Sequence, residues 1–284
     1  MDSPSLLGPW TFEPLQLIPT IVVAGLYLRR TRTLAARGQP VPVWRRVSFW
    51  TGIALVVLAL NSPIDELGEE HFFFMHMLQH VILGDLAPLC FVAGLTGPIL
   101  RPVLAISWVE PLRVLAHPLV ALPVWALNLY LWHIPFLYDA ALHHSSVHAL
   151  EHFLFFTCGC LIWEPVLETL PAPAWFGTGV KIGYLVTVRL VETVLGNVFM
   201  WSSSMFYSVY RHAPEWGITP AHDLNLGGVV MMAEGSAVTL AVLAWLFLKM
   251  AEESELRQRL LEQGLDPRQV HRAVRFGRAQ DLGS

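Results

Sequence analysis

Residues 72–99 read FFFMHMLQHVILGDLAPLCFVAGLTGPI, an apolar run with His76 and His80 near its start. A helix needs on the order of 20 apolar residues to cross the hydrocarbon of a bilayer, and this run is long enough. Comparable runs occupy 15–28, 47–60, 118–137, 147–166, 182–206 and 227–250, the first two of them short. Proline marks their borders at Pro14, Pro63, Pro98, Pro118, Pro165 and Pro220. Pro88 interrupts the quoted run itself, which a membrane helix tolerates when neighbours satisfy the freed carbonyl. The pattern predicts an all-α, polytopic membrane helix bundle of about seven transmembrane helices, without a soluble catalytic domain.

Composition points the same way. The 284 residues are 54% hydrophobic and 14% charged, with a mean hydropathy of +0.51. Soluble domains carry about a quarter charged residues, so a water-facing surface would be short of charge. The formal net charge of −4 says less than the placement of the cations. Arg29, Arg30, Arg32, Arg37, Arg45 and Arg46 separate the first two runs, Arg101 and Arg113 the third and fourth, and Lys181 precedes the sixth. Lys249, Arg257, Arg259, Arg268, Arg272, Arg275 and Arg278 follow the seventh, and only Arg211 lies on the opposite side. The positive-inside rule therefore predicts an external N-terminus and a cytoplasmic C-terminus, in a multi-pass protein of the bacterial cytoplasmic (inner) membrane. Residues 1–250 read as the transmembrane domain and 251–284 as a cytoplasmic tail. The tail reads as a surface helix, a turn near Gly264–Pro267 and a basic stretch within reach of anionic lipid. Met1–Trp10 lacks a basic n-region, so no cleavable signal is expected. The 3 cysteines, at positions 90, 158 and 160, are too few and too deep in apolar runs for a disulfide framework.

The histidines cluster toward the external side of this scheme: His71, His76, His80, His133, His143, His144, His148, His152, His212 and His222. Two pairs, His76/His80 and His148/His152, each lie four residues apart. At 3.6 residues per turn each pair stacks on one helix face, about 6 Å apart along the axis. Both helices are predicted to run inward, so the pairs sit at one depth, and convergence of the two faces would gather four imidazoles. Imidazole suits copper, zinc, iron and nickel, and each ligating ring needs an outer partner for its second nitrogen. Gln79, Glu151 and Asp65 are candidates for that role. An interfacial histidine couple without metal is the competing explanation for either pair alone. Met231, Met232 and Glu234 lie one turn into the last run, and a thioether suits Cu(I), although most membrane methionines are core filler. Arg189 and Glu192, three apart, read as a structural ion pair. His133 reads as a satisfied bundle histidine.

His76-Met77-Leu78-Gln79-His80, with the apolar run into Ala87-Pro88, resembles the third span of the polytopic CtaG family of cytochrome c oxidase assembly factors. Ser62-Pro63-Ile64-Asp65 is similar to the family's lead-in to that span. His148 and His152 with Phe155, Gly159, Trp163 and Pro165 resemble its fifth span, and Asp223, Gly227-Gly228, Met231 or Met232, and Glu234 its last. The resemblance covers Asn61 to Met250. It departs at Glu164, at Leu224-Asn225, and through the sixth run with Arg189, Glu192 and Asn197.

The resemblance implies a maturation factor for a terminal oxidase that handles copper, as Cu(I), at the outer face. His76, His80, His148, His152, Met231 and Met232 are then expected at the metal, with Asp65, Gln79, Glu151, Asp223 and Glu234 behind them. Oxidase subunits, the lipid bilayer and an external copper chaperone are the expected partners, and nucleic acid is not. Delivery needs no nucleophile, so the protein is not expected to be an enzyme. Two alternatives stay open: a membrane zinc metallohydrolase using Glu151 or Glu234 as base, weakly supported by Ser202-Ser203-Ser204, and a metal-free scaffold for oxidase subunits. A desaturase-type oxygenase would place its histidines toward the cytoplasm. Two haems across the bilayer would need histidines separated by most of a helix, which leaves a carrier of one bis-His haem as a further open alternative.

Overall fold

A computed structural model describes residues 10, 12, 14–107, 109–211 and 217–279. All regular elements among them are helical. α1 spans Pro14–Ala36 and α2 spans Val43–Asn61. The extended Ser62 ends α2 and caps the short α3 (Pro63–Glu66), its hydroxyl accepting from the Ile64 amide at 3.3 Å. A π-helical turn, Leu67–His71, then leads through the extended Phe72 into α4 (Phe73–Val81). A second π-helical turn, Ile82–Leu86, joins α4 to α5 (Ala87–Gly94), so that Phe73–Gly94 is one 22-residue span.

The second π turn has a local cause. Pro88 has no amide hydrogen to donate to the carbonyl one turn back, and Gly84 in the turn leaves that carbonyl facing a neighbouring helix. The neighbour is α9 (Ser145–Leu167), reached through α6 (Gly97–Leu104), a 3₁₀ segment (Glu110–Ala116), α7 (Pro118–Trp132) and α8 (Pro135–His143). A Cβ on Gly159 of α9 would fall 2.2 Å from the Gly84 carbonyl oxygen and 2.7 Å from the Pro88 ring. Only glycine lets these backbones approach so closely. α9 ends where Glu168 turns left-handed (φ 54°, ψ 46°). α10 (Thr178–Met200) and α11 (Pro220–Glu262) follow, and Asp266 caps α12 (Pro267–Arg275) by accepting from the Gln269 amide at 3.2 Å.

Among the described residues, 5 helices are long and apolar enough to cross a membrane: Val43–Asn61, Phe73–Gly94, Ser145–Leu167, Thr178–Met200 and Pro220–Glu262. The 3₁₀ segment and α7, bent by 76°, make a sixth if they form one broken span. The expected borders shift in several places, among them the following. The run expected at 118–137 stops at Trp132, because Pro135 starts a new helix. The run expected to end at Phe206 stops at Met200. The run expected to start at Gly227 starts at Pro220, where proline suits the first helical turn. Leu190, Val194 and Val198 on α10 and Leu240, Phe247 and Leu248 on α11 are all exposed. Such apolar surface in water would be a liability, and in a bilayer it faces lipid.

The chain forms two compact units. One comprises residues 1–171 and 191–235, the other 172–190 and 236–284. The core of the first joins Phe73, Met77, Leu129, Trp132, Tyr138, Phe155, Phe199, Tyr207 and Met231. In the second, Leu260, Val270 and Val274 fold α12 back on the end of α11, around the turn at Gly264 (φ +81°).

Candidate metal centre

α4 and α9 start at the same end of the first unit and run side by side in the same direction. His76 lies opposite His148 (ring centroids 5.5 Å apart) and His80 opposite His152 (5.8 Å). Within each helix the four-residue spacing stacks the rings, 4.2 Å apart for His76/His80 and 4.0 Å for His148/His152. All four are buried, as is Glu151 between the α9 histidines.

Two groups of potential ligand atoms result, each with its members within 4.8 Å of one another: His76, His80 and His152; and His76, His148 and Glu151. Both ring nitrogens of His76, His80 and His152 are buried without a hydrogen-bond partner, as are Nε2 of His148 and both carboxylate oxygens of Glu151. The Glu151 oxygens approach His80 Nε2 (3.7 Å) and His148 Nε2 (4.0 Å), too far for hydrogen bonds. Leaving one buried polar group unsatisfied costs about 1–3 kcal/mol, and these five residues carry nine such atoms. A cation that takes one nitrogen lone pair from each ring, or a carboxylate oxygen, would satisfy one atom of each residue in a group, so the donor set fits a first-row transition metal.

The surroundings hold the rings in place. The π turn before α4 lies against His76, where a Cβ on Gly68 would fall 2.9 Å from the His76 Cα. Glu69 from that turn is partly exposed and binds His148 Nδ1 at 2.8 Å, which leaves Nε2 directed inward. Tyr138 stands 5.2 Å from the His76 ring and stacks on Tyr207 at 3.9 Å. Tyr207 donates to the His133 carbonyl at 3.0 Å, and Tyr210 donates to the Gly68 carbonyl. Burial pushes the Tyr207 and Tyr210 phenols up, so both stay neutral donors. His133 is buried with its ring 6.0 Å from His80, and its Nδ1 bonds the Leu129 carbonyl at 2.7 Å.

Not every expected residue faces this cluster. Asp223 accepts from the Phe73 amide at 2.8 Å and the Phe74 amide at 3.0 Å. It therefore caps α4, whose own preceding residue, Phe72, supplies no side-chain cap. Gln79 donates to Asp65 and to the Ala59 carbonyl, so these two polar side chains tie α4 to α3 and α2. Met231 belongs to the apolar core beside the histidines. A Cβ on Gly196 would lie 3.0 Å from the Met232 sulfur, which places that thioether against α10. Glu234 is half-buried on α11. Glu151 was expected behind the ligands and instead sits among the potential ligand atoms. The tyrosine wall and the Glu69–His148 contact carry no spacing signal, since Glu69 and His148 lie far apart in the chain.

The fold and site together describe a helical membrane protein with a buried His/Glu cluster near one end of two adjacent spans. The profile of the Caa3_CtaG family, cytochrome c oxidase caa3 assembly factors, matches residues 25–253. The chain belongs to that family. It is also similar to uncharacterized proteins of Mycobacterium bovis and Mycobacterium tuberculosis, each 26% identical over 243 residues, covering 78% of this chain and 36% of theirs. A protein of Mycobacterium leprae is 21% identical over 264 residues, covering 86% of this chain and 40% of its own. The chain thus spans well under half the length of these curated relatives. No solved structure matches it.

Proposed function

We propose that this assembly factor binds copper, as Cu(I), at the His76/His80/His148/His152 cluster and passes it to a cytochrome c oxidase subunit. The observation that supports the reading is the set of buried, unpartnered imidazole nitrogens from two parallel helices, in a chain of an oxidase assembly family. Neutral imidazoles carry no charge that must be neutralised, which favours a monovalent cation, and Glu151 adds one negative charge where it is needed. Consecutive helical residues point about 100° apart, so one of Met231 and Met232 at most can reach the same ion. With Met232 against Gly196, Met231 is the thioether to test. The arginine asymmetry would put the site at the external side of the membrane, where an external copper chaperone would load it. Copper is cargo here, and the site needs no water-activating position.

His76, His148 and Glu151 also form the His₂Glu donor set of many catalytic zinc sites, which supports the hydrolase as the second reading. The two separate in the host. With His80→Ala and His152→Ala, delivery predicts lower copper in the oxidase, partly restored by added external copper, because a weakened site refills by mass action. Unchanged oxidase copper in the double variant would exclude delivery and leave the hydrolase or the scaffold.

A further inference from the structure

The second compact unit contains a cavity of about 770 Å³, walled by Trp175, Phe247 and Met250 and lined by Arg257, His271 and Arg275. We propose that it is a binding site for one anionic phospholipid, taken by its phosphate headgroup.

The location supports a lipid. The cavity lies where the apolar stretch of α11 gives way to Lys249, Glu252, Glu253 and Glu255, the sequence level of a membrane–water boundary. Trp175 and Phe247 are half-exposed, so the apolar wall is continuous with the lipid-facing side of α11. A soluble anion would use only the polar half, whereas a lipid uses both. Basic pockets at the cytoplasmic ends of membrane helices commonly hold anionic headgroups.

The charges divide into structural and available. Arg275 donates to the Phe176 carbonyl at 2.8 Å and braces the segment before α10. Glu253 accepts from the Thr178 hydroxyl at 2.8 Å and faces Lys249 at 3.9 Å, so the one carboxylate lining the cavity is already engaged. The buried Nε of Arg257 has no hydrogen-bond partner, and its guanidinium is the donor left for a phosphate oxygen. His271, on the first turns of α12, faces the same space.

Native mass spectrometry of the full chain, stripped in detergent and titrated with phosphatidylglycerol or phosphatidylcholine, tests the site. One phosphatidylglycerol should be retained in preference to phosphatidylcholine. Arg257→Gln should weaken retention about fivefold and Arg257→Lys less, since one cation near a membrane phosphate contributes about that factor. Inorganic phosphate should not displace the lipid. Equal retention of both lipids, or undiminished phosphatidylglycerol binding by a folded Arg257→Gln protein, would overturn the proposal. Displacement by inorganic phosphate would also overturn it, assigning the cavity to a free anion. Arg275 stays unchanged because its loss would loosen the 173–176 segment.

Discussion

Asp223 offers a sharp test, because its expected place behind the metal and its observed place as a helix cap predict different losses. Its two carboxylate oxygens accept the Phe73 and Phe74 amides at 2.8 and 3.0 Å, and the residue is 4% exposed. Hydrogen bonds to a charged acceptor contribute about 1.5–3 kcal/mol each, and truncation leaves the buried amides unsatisfied. Loss of an ordinary cap costs about 0.5–2 kcal/mol, so Asp223→Ala should destabilise the protein by about 3 kcal/mol once non-additivity is allowed for. That is roughly a hundredfold in the folding equilibrium. Asp223→Asn, which keeps one good acceptor, should lose about half as much. The assay is the unfolding midpoint on titration of detergent-purified protein with sodium dodecyl sulfate, followed by tryptophan fluorescence. Metal content at saturating copper should be unchanged in the fraction that stays folded, since no ligand is removed. A stable Asp223→Ala protein that has lost its metal would refute the cap and restore Asp223 to the site.

Two further outcomes follow from the same geometry and a third from the arginine asymmetry. Gly159→Ala drives a Cβ into the Gly84 carbonyl, so it should cost about 1–3 kcal/mol, as overpacking does, and weaken metal binding by separating α9 from α4; unchanged thermal stability would contradict the close approach. Glu69→Gln, at the exposed edge of the cluster, should slow copper loading in stopped-flow mixing while leaving final occupancy intact, and an unchanged rate would remove Glu69 from the route. Reporter fusions after Gly38 and after His144 should give cytoplasmic and external signals respectively; one compartment for both would overturn the orientation.

Much of this architecture can be read from the chain because lipid imposes a simple grammar. Long apolar runs become helices, and HxxxH spacing puts two rings on one face, so the His76/His80 and His148/His152 stacks follow from 3.6 residues per turn. That the two stacks meet does not follow from either spacing. It depends on Gly159 against Gly84 and on the π turn before Pro88, features written as single small residues and a backbone irregularity. Helix ends were harder for the same reason. Ile134-Pro135 breaks the apolar run 118–137 that hydropathy alone reads as continuous. Asp223 and Glu69 show the further limit, since each acts on a residue far away in sequence. An acidic side chain next to a histidine cluster looks alike in sequence whether it caps a helix, orients an imidazole or binds a metal. Glu151 shows the reverse case: its position between His148 and His152 placed it near the site, and only the approach of α4 puts its oxygens among the potential ligands.

The most direct test of the central claim is metal analysis of the purified full chain after loading with Cu(I) and washing with a Cu(I) chelator, run beside His76→Ala/His80→Ala/His152→Ala protein and with zinc as competitor. The account predicts retained copper in the unaltered chain, resistance to zinc, and its loss in the triple variant with the fold intact by circular dichroism. Copper retained equally by both proteins, or zinc displacing copper from the unaltered chain, would contradict it.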